Sequence, residues 1–415
     1  MSGKIKLNAA SGGGSVSIQA PSSESNNRTL TLPSDADGTI VSKDTTNNLA
    51  NIASINGGSI GTNNLIINGA MTVAQRGTSS TASGYGTVDR WQVTYGGTDE
   101  AFTQSQVDVA SGTTPYTEGF RKALRATNGN QTSGAGAGDF GFMFQKIEAQ
   151  NIANSGWNYT DSNSFVTLSF WVKSSVAQNF YGYIKAEDAT YVYPYETGSL
   201  SANTWTKVTK TIPGNSNLVF NNDIDTGALL VLNPYLGTDY TDSSVSLNTW
   251  AAYASGTRTP NQTSTWWTTN DATLEITGVQ LEVGSTASSF AFESYADTFL
   301  KCQRYYHVIF DGSIHKFTYW QMAYYYNSGT MQFILRMNPE MRATPTLECT
   351  STSGVYRLYR NGAYDSVDDF LLSHSSKNSC RIYNASDASG TAGQIGGLYV
   401  SSNGSNEMIA LTAEL

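Results

Sequence analysis

Residues 165–172 read Phe-Val-Thr-Leu-Ser-Phe-Trp-Val. Val166, Leu168, Phe170 and Val172 fall on one side of an extended chain, and Phe165, Thr167, Ser169 and Trp171 fall on the other, because successive strand side chains point to opposite faces. A period of two with one heavily apolar face demands a second layer to cover it. Residues 274–283 repeat the pattern with a slip. Leu274 and Ile276 set an even apolar phase and Val279, Leu281 and Val283 an odd one, so one extra residue must be absorbed near Gly278 as a β-bulge.

Outward from these strands, residues 64–294 are broken by turns and show hardly any helical periodicity, which predicts an all-β domain. A short helix is expected at about 297–306. Ser294 followed by Asp297 fits a capping-box start, and Phe299, Leu300, Gln303 and Tyr306 give a mixed face. Residues 307–415 read as a second antiparallel β domain. Strands are expected at 317–326 and at 331–337, where Met331, Phe333, Leu335 and Met337 share a side, and Asn361-Gly362 marks a hairpin turn. Residues 1–63 stand apart, with no Trp, Tyr or Phe. Ile5-Lys-Leu7, Val16-Ser-Ile18 and Leu30-Thr-Leu32 alternate there between Gly12-Gly-Gly14 and Pro33, as short strands do. So little apolar surface cannot form a core, and such strands need a partner protein or copies of themselves.

Composition limits the function. The 415 residues carry 24 basic and 33 acidic side chains, a net charge of −9, with 39% hydrophobic and 12% aromatic residues. That is a globular, multidomain composition with the wrong sign for a phosphate-binding surface, so nucleic-acid binding is not expected. Cys302, Cys349 and Cys380 match neither a disulfide framework nor a zinc spacing and read as small buried apolar residues. No apolar stretch follows the basic start, and the longest aliphatic run, 228–232, is far too short for a membrane span. Synthesis in a cytoplasm without membrane insertion is the expectation.

The chemistry of a nucleophile, metal or phosphate site fails on spacing. His307, His315 and His374 form no ligand pair, and Gly134-Ala-Gly-Ala-Gly138 lacks the strand, helix and Lys-Ser/Thr of a phosphate loop. Paired carboxylates remain for glycoside cleavage: Asp223 with Asp225, Glu187 with Asp188, and Asp365 with Asp368 and Asp369, though each set reads more readily as solvated turn acids. No loop has the calcium spacing of an EF-hand. Aromatics outside the core pattern are more informative. Trp266 and Trp267 sit in a polar context, Tyr191, Tyr193 and Tyr195 share one strand face that is either buried or a platform, and Trp320 precedes Tyr324, Tyr325 and Tyr326. Flat rings stack on sugar C–H faces while amides and acids hold hydroxyls. The six residues Trp266, Trp267, Trp320, Tyr324, Tyr325 and Tyr326 are therefore candidate carbohydrate contacts, with core or subunit-seam packing as the alternative.

Several segments carry a resemblance. Asn64-Leu-Ile-Ile-Asn-Gly-Ala70 with Arg90-Trp91, Thr167-Leu-Ser-Phe-Trp-Val-Lys-Ser174, Trp205-Thr-Lys-Val-Thr-Lys-Thr-Ile212 and Ile276-Thr-Gly-Val-Gln-Leu-Glu-Val-Gly284 occur in the order that resembles jelly-roll carbohydrate-binding modules, over about residues 64–293. With Phe290-Ala-Phe-Glu-Ser-Tyr295, Cys302-Gln-Arg-Tyr-Tyr306, Met341-Arg-Ala-Thr-Pro345 and Ala413-Glu-Leu415, the chain is similar to bacteriophage tail fibres of the marine, cyanophage type. Asn27-Arg-Thr-Leu-Thr-Leu-Pro33 with Gly38-Thr39 resembles the short β repeats of such fibres. The resemblance implies an elongated, homotrimeric virion component made in the host cytoplasm. It implies an attachment segment (1–63) docking on tail proteins, a jelly-roll module (64–294), a connector helix (295–306) and a distal β-sandwich (307–415) that recognises host surface polysaccharide. It implies Trp91 and Trp171 as core and Gln280 and Glu282 as outward residues of the last strand. No cofactor is expected; a structural calcium is common in such modules and cannot be placed on these residues. A polysaccharide depolymerase and a structural capsid or neck fibre without glycan affinity are the competing readings.

Overall fold

The computed structural model describes residues 64–315, 317–400 and 407–415 in full, and the strands Lys4–Asn8, Ser15–Gln19, Ser54–Ile55 and Gly58–Ser59 in backbone. The chain divides into two compact units, 1–53 and 54–415. In the first, Lys4–Asn8 pairs antiparallel with Ser15–Gln19, placing Ile5 opposite Ile18 and Leu7 opposite Val16. The expected strand at 30–32 lies outside the described residues.

The second unit is all-β. Residues 79–283 form two six-stranded antiparallel sheets. One runs Thr206–Pro213, Phe165–Ser174, Thr273–Val283, Lys122–Thr127, Thr103–Asp108 and Ser79–Ser80; the other runs Ala251–Ala252, Tyr191–Ser199, Asn179–Ala186, Thr226–Leu236, Phe140–Glu148 and Trp91–Gly96. Val166, Leu168, Phe170 and Val172 are buried between the sheets with Trp91, Tyr193 and Tyr195. Trp171 is buried on the opposite face against Phe120 and Ala123, so that strand is covered on both sides.

The bulge lies where the apolar phase slips. Ser169 pairs with Gln280 but Trp171 with Thr277, and Gly278 takes φ +61°, a left-handed conformation that only glycine adopts cheaply. The Asn64 side chain holds the disrupted edge, donating to Val279 O at 3.0 Å and accepting from Leu281 N at 3.0 Å. The expectation for Gln280 and Glu282 is corrected. Both are buried, because residues 285–293 fold back over that face: Ser288 N donates to Glu282 at 2.8 Å and Ala291 N to Gln280 at 2.8 Å.

The helix spans Tyr295–Gln303, starting and stopping earlier than the periodicity suggested, with the Ser294 hydroxyl accepting from Asp297 N at 3.2 Å. Tyr306 already belongs to the strand Tyr306–Asp311. This strand forms a three-stranded sheet with Met408–Thr412 and Thr346–Cys349. It faces a seven-stranded sheet across a second core that includes Phe310, Met331, Phe333, Leu358, Leu398 and Ile409.

A buried polar network joins the two sandwiches. Glu148, fully buried, accepts from Arg304 Nε at 2.9 Å, from Arg304 Nη2 at 3.0 Å and from the Tyr305 hydroxyl. The Arg90 guanidinium lies 3.5 Å from the Tyr305 ring centroid, pairs with Glu414, and donates to Lys146 O at 2.8 Å. Arg76 stacks 3.4 Å from the Tyr306 ring centroid. Desolvation raises the Glu148 carboxyl, and the hydrogen bonds from Arg304 and Tyr305 outweigh it, leaving the group below its ordinary value.

Candidate functional site

The seven-stranded sheet runs Ala363–Val367, Tyr356–Arg360, Ile395–Val400, Gln321–Asn327, Thr330–Arg336, Ser379–Asn384 and Leu371–Ser373. Alternation sends Ala323, Tyr325, Met331, Phe333 and Ile382 into the core. Their neighbours Met322, Tyr324, Tyr326, Ile334 and Arg381 therefore stand on the opposite face. The face is unusually rich in large apolar groups: Tyr326 is 67% exposed, Tyr319 60%, Met322 60%, Ile334 53% and Tyr364 55%. Gly397 makes part of this possible. A Cβ there would lie 2.5 Å from the Tyr319 ring, so the missing side chain is the space the ring occupies.

A fixed polar row crosses the face. Tyr324 pairs with Gln332 across two strands, and Ile334 with Arg381 across the next two. Gln332 Nε2 donates to the Tyr324 hydroxyl, and Arg381 Nε donates to Gln332 Oε1 at 2.5 Å. Arg381 also donates from Nη1 to Ser373 Oγ at 3.3 Å and lies 4.3 Å from the Tyr383 ring centroid. Beside the row is a hollow of about 430 Å³ lined by Tyr326, Gln332, Ile334, His374, Ser379 and Arg381, with no carboxylate in its lining. Exposed apolar rings flanked by anchored amide, guanidinium and hydroxyl groups suit a ligand that has both C–H faces and hydroxyls.

Of the six aromatics singled out in the sequence, Tyr324 and Tyr326 stand on this face. Tyr325 points inward and is 1% exposed, its hydroxyl donating to Asp365; burial, and then that hydrogen bond, raise its phenol. Trp320 is half-buried on the core side, its ring 5.0 Å from Phe310 and 5.6 Å from Phe333. The strand begins at Gln321 rather than at 317, and the ring exposed beside the half-buried Trp320 is that of Tyr319. Trp266 and Trp267 are a correction: both are fully buried in the first sandwich. Phe102 lies edge-on to them at 5.3 and 5.6 Å, and Trp267 Nε1 donates to Gly134 O at 2.8 Å. Their polar sequence neighbours are not their spatial neighbours. Tyr193 and Tyr195 are buried and Tyr191 half-buried, so that strand face is core.

One feature escaped sequence reading. Phe140, Phe142 and Phe144 alternate on the outer face of the first sandwich, where they line a second hollow of about 270 Å³ with Tyr183, Lys185 and Arg258. The only sequence signal was the alternation itself. Lys185 sits 4.3 Å from the Tyr253 ring centroid and pairs with Glu187 at 2.6 Å, so this hollow is more closely occupied by its own side chains.

Four of the candidate acids accept backbone N–H groups, Asp223 within its own turn and the other three from distant segments. Asp223 accepts from Asp225 N at 3.0 Å, Asp188 from Asn221 N at 2.9 Å, Asp365 from Ser389 N at 2.9 Å, and Asp368 from Gly354 N at 2.6 Å. Among the described residues no group of three or more His, Cys, Asp or Glu side chains is arranged to hold a metal ion. Cys302 and Cys380 are buried and Cys349 is half-buried; all three are free. Among the described residues no helix is long and apolar enough to cross a membrane.

No known protein family and no curated protein matches the chain. Solved structures resemble it at low similarity. The enzymatically active domain of bacteriophage CBA120 tailspike protein 4 is 10% identical over 53% of this chain and 21% of its own, with a TM-score of 0.29. A sugar-binding protein of Bacteroides thetaiotaomicron, so described without established activity, is 14% identical over 54% of this chain and 100% of its own, at a TM-score of 0.29. The N-terminal cellulose-binding domain of a Cellulomonas fimi glucanase is 11% identical over 52% of this chain and 99% of its own, at 0.24. At such TM-scores nothing about function passes from these proteins to this chain.

Proposed function

We propose that the chain is a glycan-recognising adhesin, a bacteriophage tail-fibre component that binds host surface polysaccharide through the outer face of the seven-stranded sheet. The observation that carries this reading is the row Tyr324–Gln332–Arg381, held in place by its own hydrogen bonds beside the exposed Tyr326 and Ile334. A pre-ordered polar row loses little side-chain entropy on binding. The apolar rings gain most from a partner that is itself half apolar, as a pyranose is. Binding without cleavage is supported by Asp188, Asp223, Asp365 and Asp368, each of which accepts a backbone N–H of the fold.

The tail-fibre role, the homotrimer and the docking of residues 1–63 on tail proteins rest on the resemblance of the sequence segments. Three copies on one fibre raise effective concentration, so a weak single site suffices for adsorption. A glycan array probed with the full chain should show binding that Tyr326→Ser weakens about tenfold, equivalent to ~1.4 kcal/mol. Absence of any captured glycan sinks the adhesin reading. Light scattering that gives a monomer for the full chain sinks the trimer.

A further inference from the structure

We infer that the hollow beside Tyr326 takes an acidic sugar, binding its carboxylate through Arg381; this rests on the sheet face being a glycan site. The charge distribution carries the inference. The whole chain bears a net charge of −9, so an anionic polymer is repelled by most of its surface and can approach only where bases are locally uncompensated. The hollow is such a place. Its lining contains Arg381 and His374 and no acid. The cross-strand register places Arg336 opposite Ser379 of the same lining. Among the described residues, neither Arg336, Lys377 nor Arg381 has a carboxylate within ion-pair distance.

The pose of Arg381 matches the function. Its two protein acceptors, Gln332 Oε1 at 2.5 Å and Ser373 Oγ at 3.3 Å, are both neutral, so they aim the guanidinium without cancelling its charge. The Tyr383 ring supports one of its faces. Nη2 and the second hydrogen of Nη1 form the end-on fork, whose spacing fits the two oxygens of a carboxylate. His374, exposed at the rim, shares the Ser373 hydroxyl at 3.2 Å and takes φ +47°, the left-handed region in which His, Asn and Asp are the commonest non-glycine residues. Tyr326 and Ile334 supply the apolar wall against which the ring of the same sugar lies. A neutral sugar would use the wall and leave the guanidinium fork unmatched.

The test is calorimetric titration of the full chain with oligogalacturonate and with its carboxyl-reduced neutral counterpart, alongside oligosaccharides of κ-carrageenan, which carry sulfate but no carboxylate. The expected result is at least tenfold tighter binding of the acid form. Arg381→Gln should abolish the preference, bringing the affinity for the acid form down to or below that for the neutral form, and rising salt should erode it. Arg336→Gln should reduce the preference in part, which covers the case in which Arg381→Gln fails to fold. Equal affinity for the acid and neutral forms, or a preference that survives Arg381→Gln, overturns the inference and leaves the glycan face standing. Carrageenan binding as tight as oligogalacturonate overturns the assignment to a carboxylate. Failure of all three probes on a chain that captures neutral sugars on the array overturns the acidic-sugar inference alone; failure of every glycan overturns the underlying reading as well.

Discussion

Tyr325 and Tyr326 are adjacent, and serine at each should have opposite consequences. Tyr325 is 1% exposed, its ring lies 4.8 Å from the Arg360 guanidinium, and its hydroxyl bonds Asp365. Removing a fully buried ring of this size costs roughly 3–5 kcal/mol in transfer and cavity terms. Tyr326 is 67% exposed, so only about a third of its ring is covered. A third of roughly 200 Å² at ~25 cal/mol per Å² sets an upper bound of about 1.7 kcal/mol. Urea unfolding followed by near-UV circular dichroism reads both effects, provided that the slope against denaturant is unchanged. The expected result is a large fall in midpoint for Tyr325→Ser, a small one for Tyr326→Ser, and about tenfold weaker glycan capture by Tyr326→Ser under conditions where it is fully folded. Comparable destabilisation by the two substitutions would refute the inward–outward assignment on which the site depends.

Three further outcomes follow from the packing. Glu148→Ala leaves the Arg304 guanidinium and the Tyr305 hydroxyl without their acceptor; with the Arg304 side chain 29% exposed, the cost should fall to roughly 2–3 kcal/mol, below that of a fully buried broken pair, and a melting temperature unchanged from wild type would contradict it. Asp89 is buried, and desolvation, only partly offset by hydrogen bonds from Gln75, pushes its carboxyl up to about 6 from 3.8. A group raised in the folded state stabilises below its unfolded value and loses that contribution as pH rises through the folded one, so ionised Asp89 costs about 3 kcal/mol at neutral pH. The stability advantage of Asp89→Asn over wild type should accordingly shrink between pH 7 and pH 5, as read by paired urea titrations; a constant difference rejects the assignment. Gly278→Ala should cost roughly 1–3 kcal/mol, because φ is +61° there and the added carbon would sit 2.6 Å from the Phe120 ring, and a neutral effect on the denaturation midpoint would contradict the bulge geometry.

The features legible in the sequence were local. The alternation at 165–172, the phase slip at Gly278, the Ser294 cap and the Asn361-Gly362 hairpin each follow from residues within a few positions of one another, and each appears where those residues place it. What could not be read was which aromatic rings are covered. Trp266 and Trp267 are enclosed by Phe102 and Tyr235, more than 160 and more than thirty positions away along the chain. Gln280 and Glu282 look outward until residues 285–293 return over them. Glu148 and Arg304, 156 positions apart, give no signal until the two sandwiches are assembled. Tyr324, Tyr325 and Tyr326 were singled out together as an aromatic run, and the strand's period of two then turns Tyr325 inward, whereas Arg381 and Gln332 became visible only through the register between strands.

The sheet-face account is tested most directly by hydroxyl-radical footprinting of the full chain, free and saturated with a glycan captured on the array. It predicts that Tyr319, Tyr324, Tyr326 and Ile334 are protected by the glycan, while Phe142 and Tyr253 on the first sandwich are oxidised at unchanged rates. Protection confined to Phe142 and Tyr253, or absent from Tyr326, would contradict it.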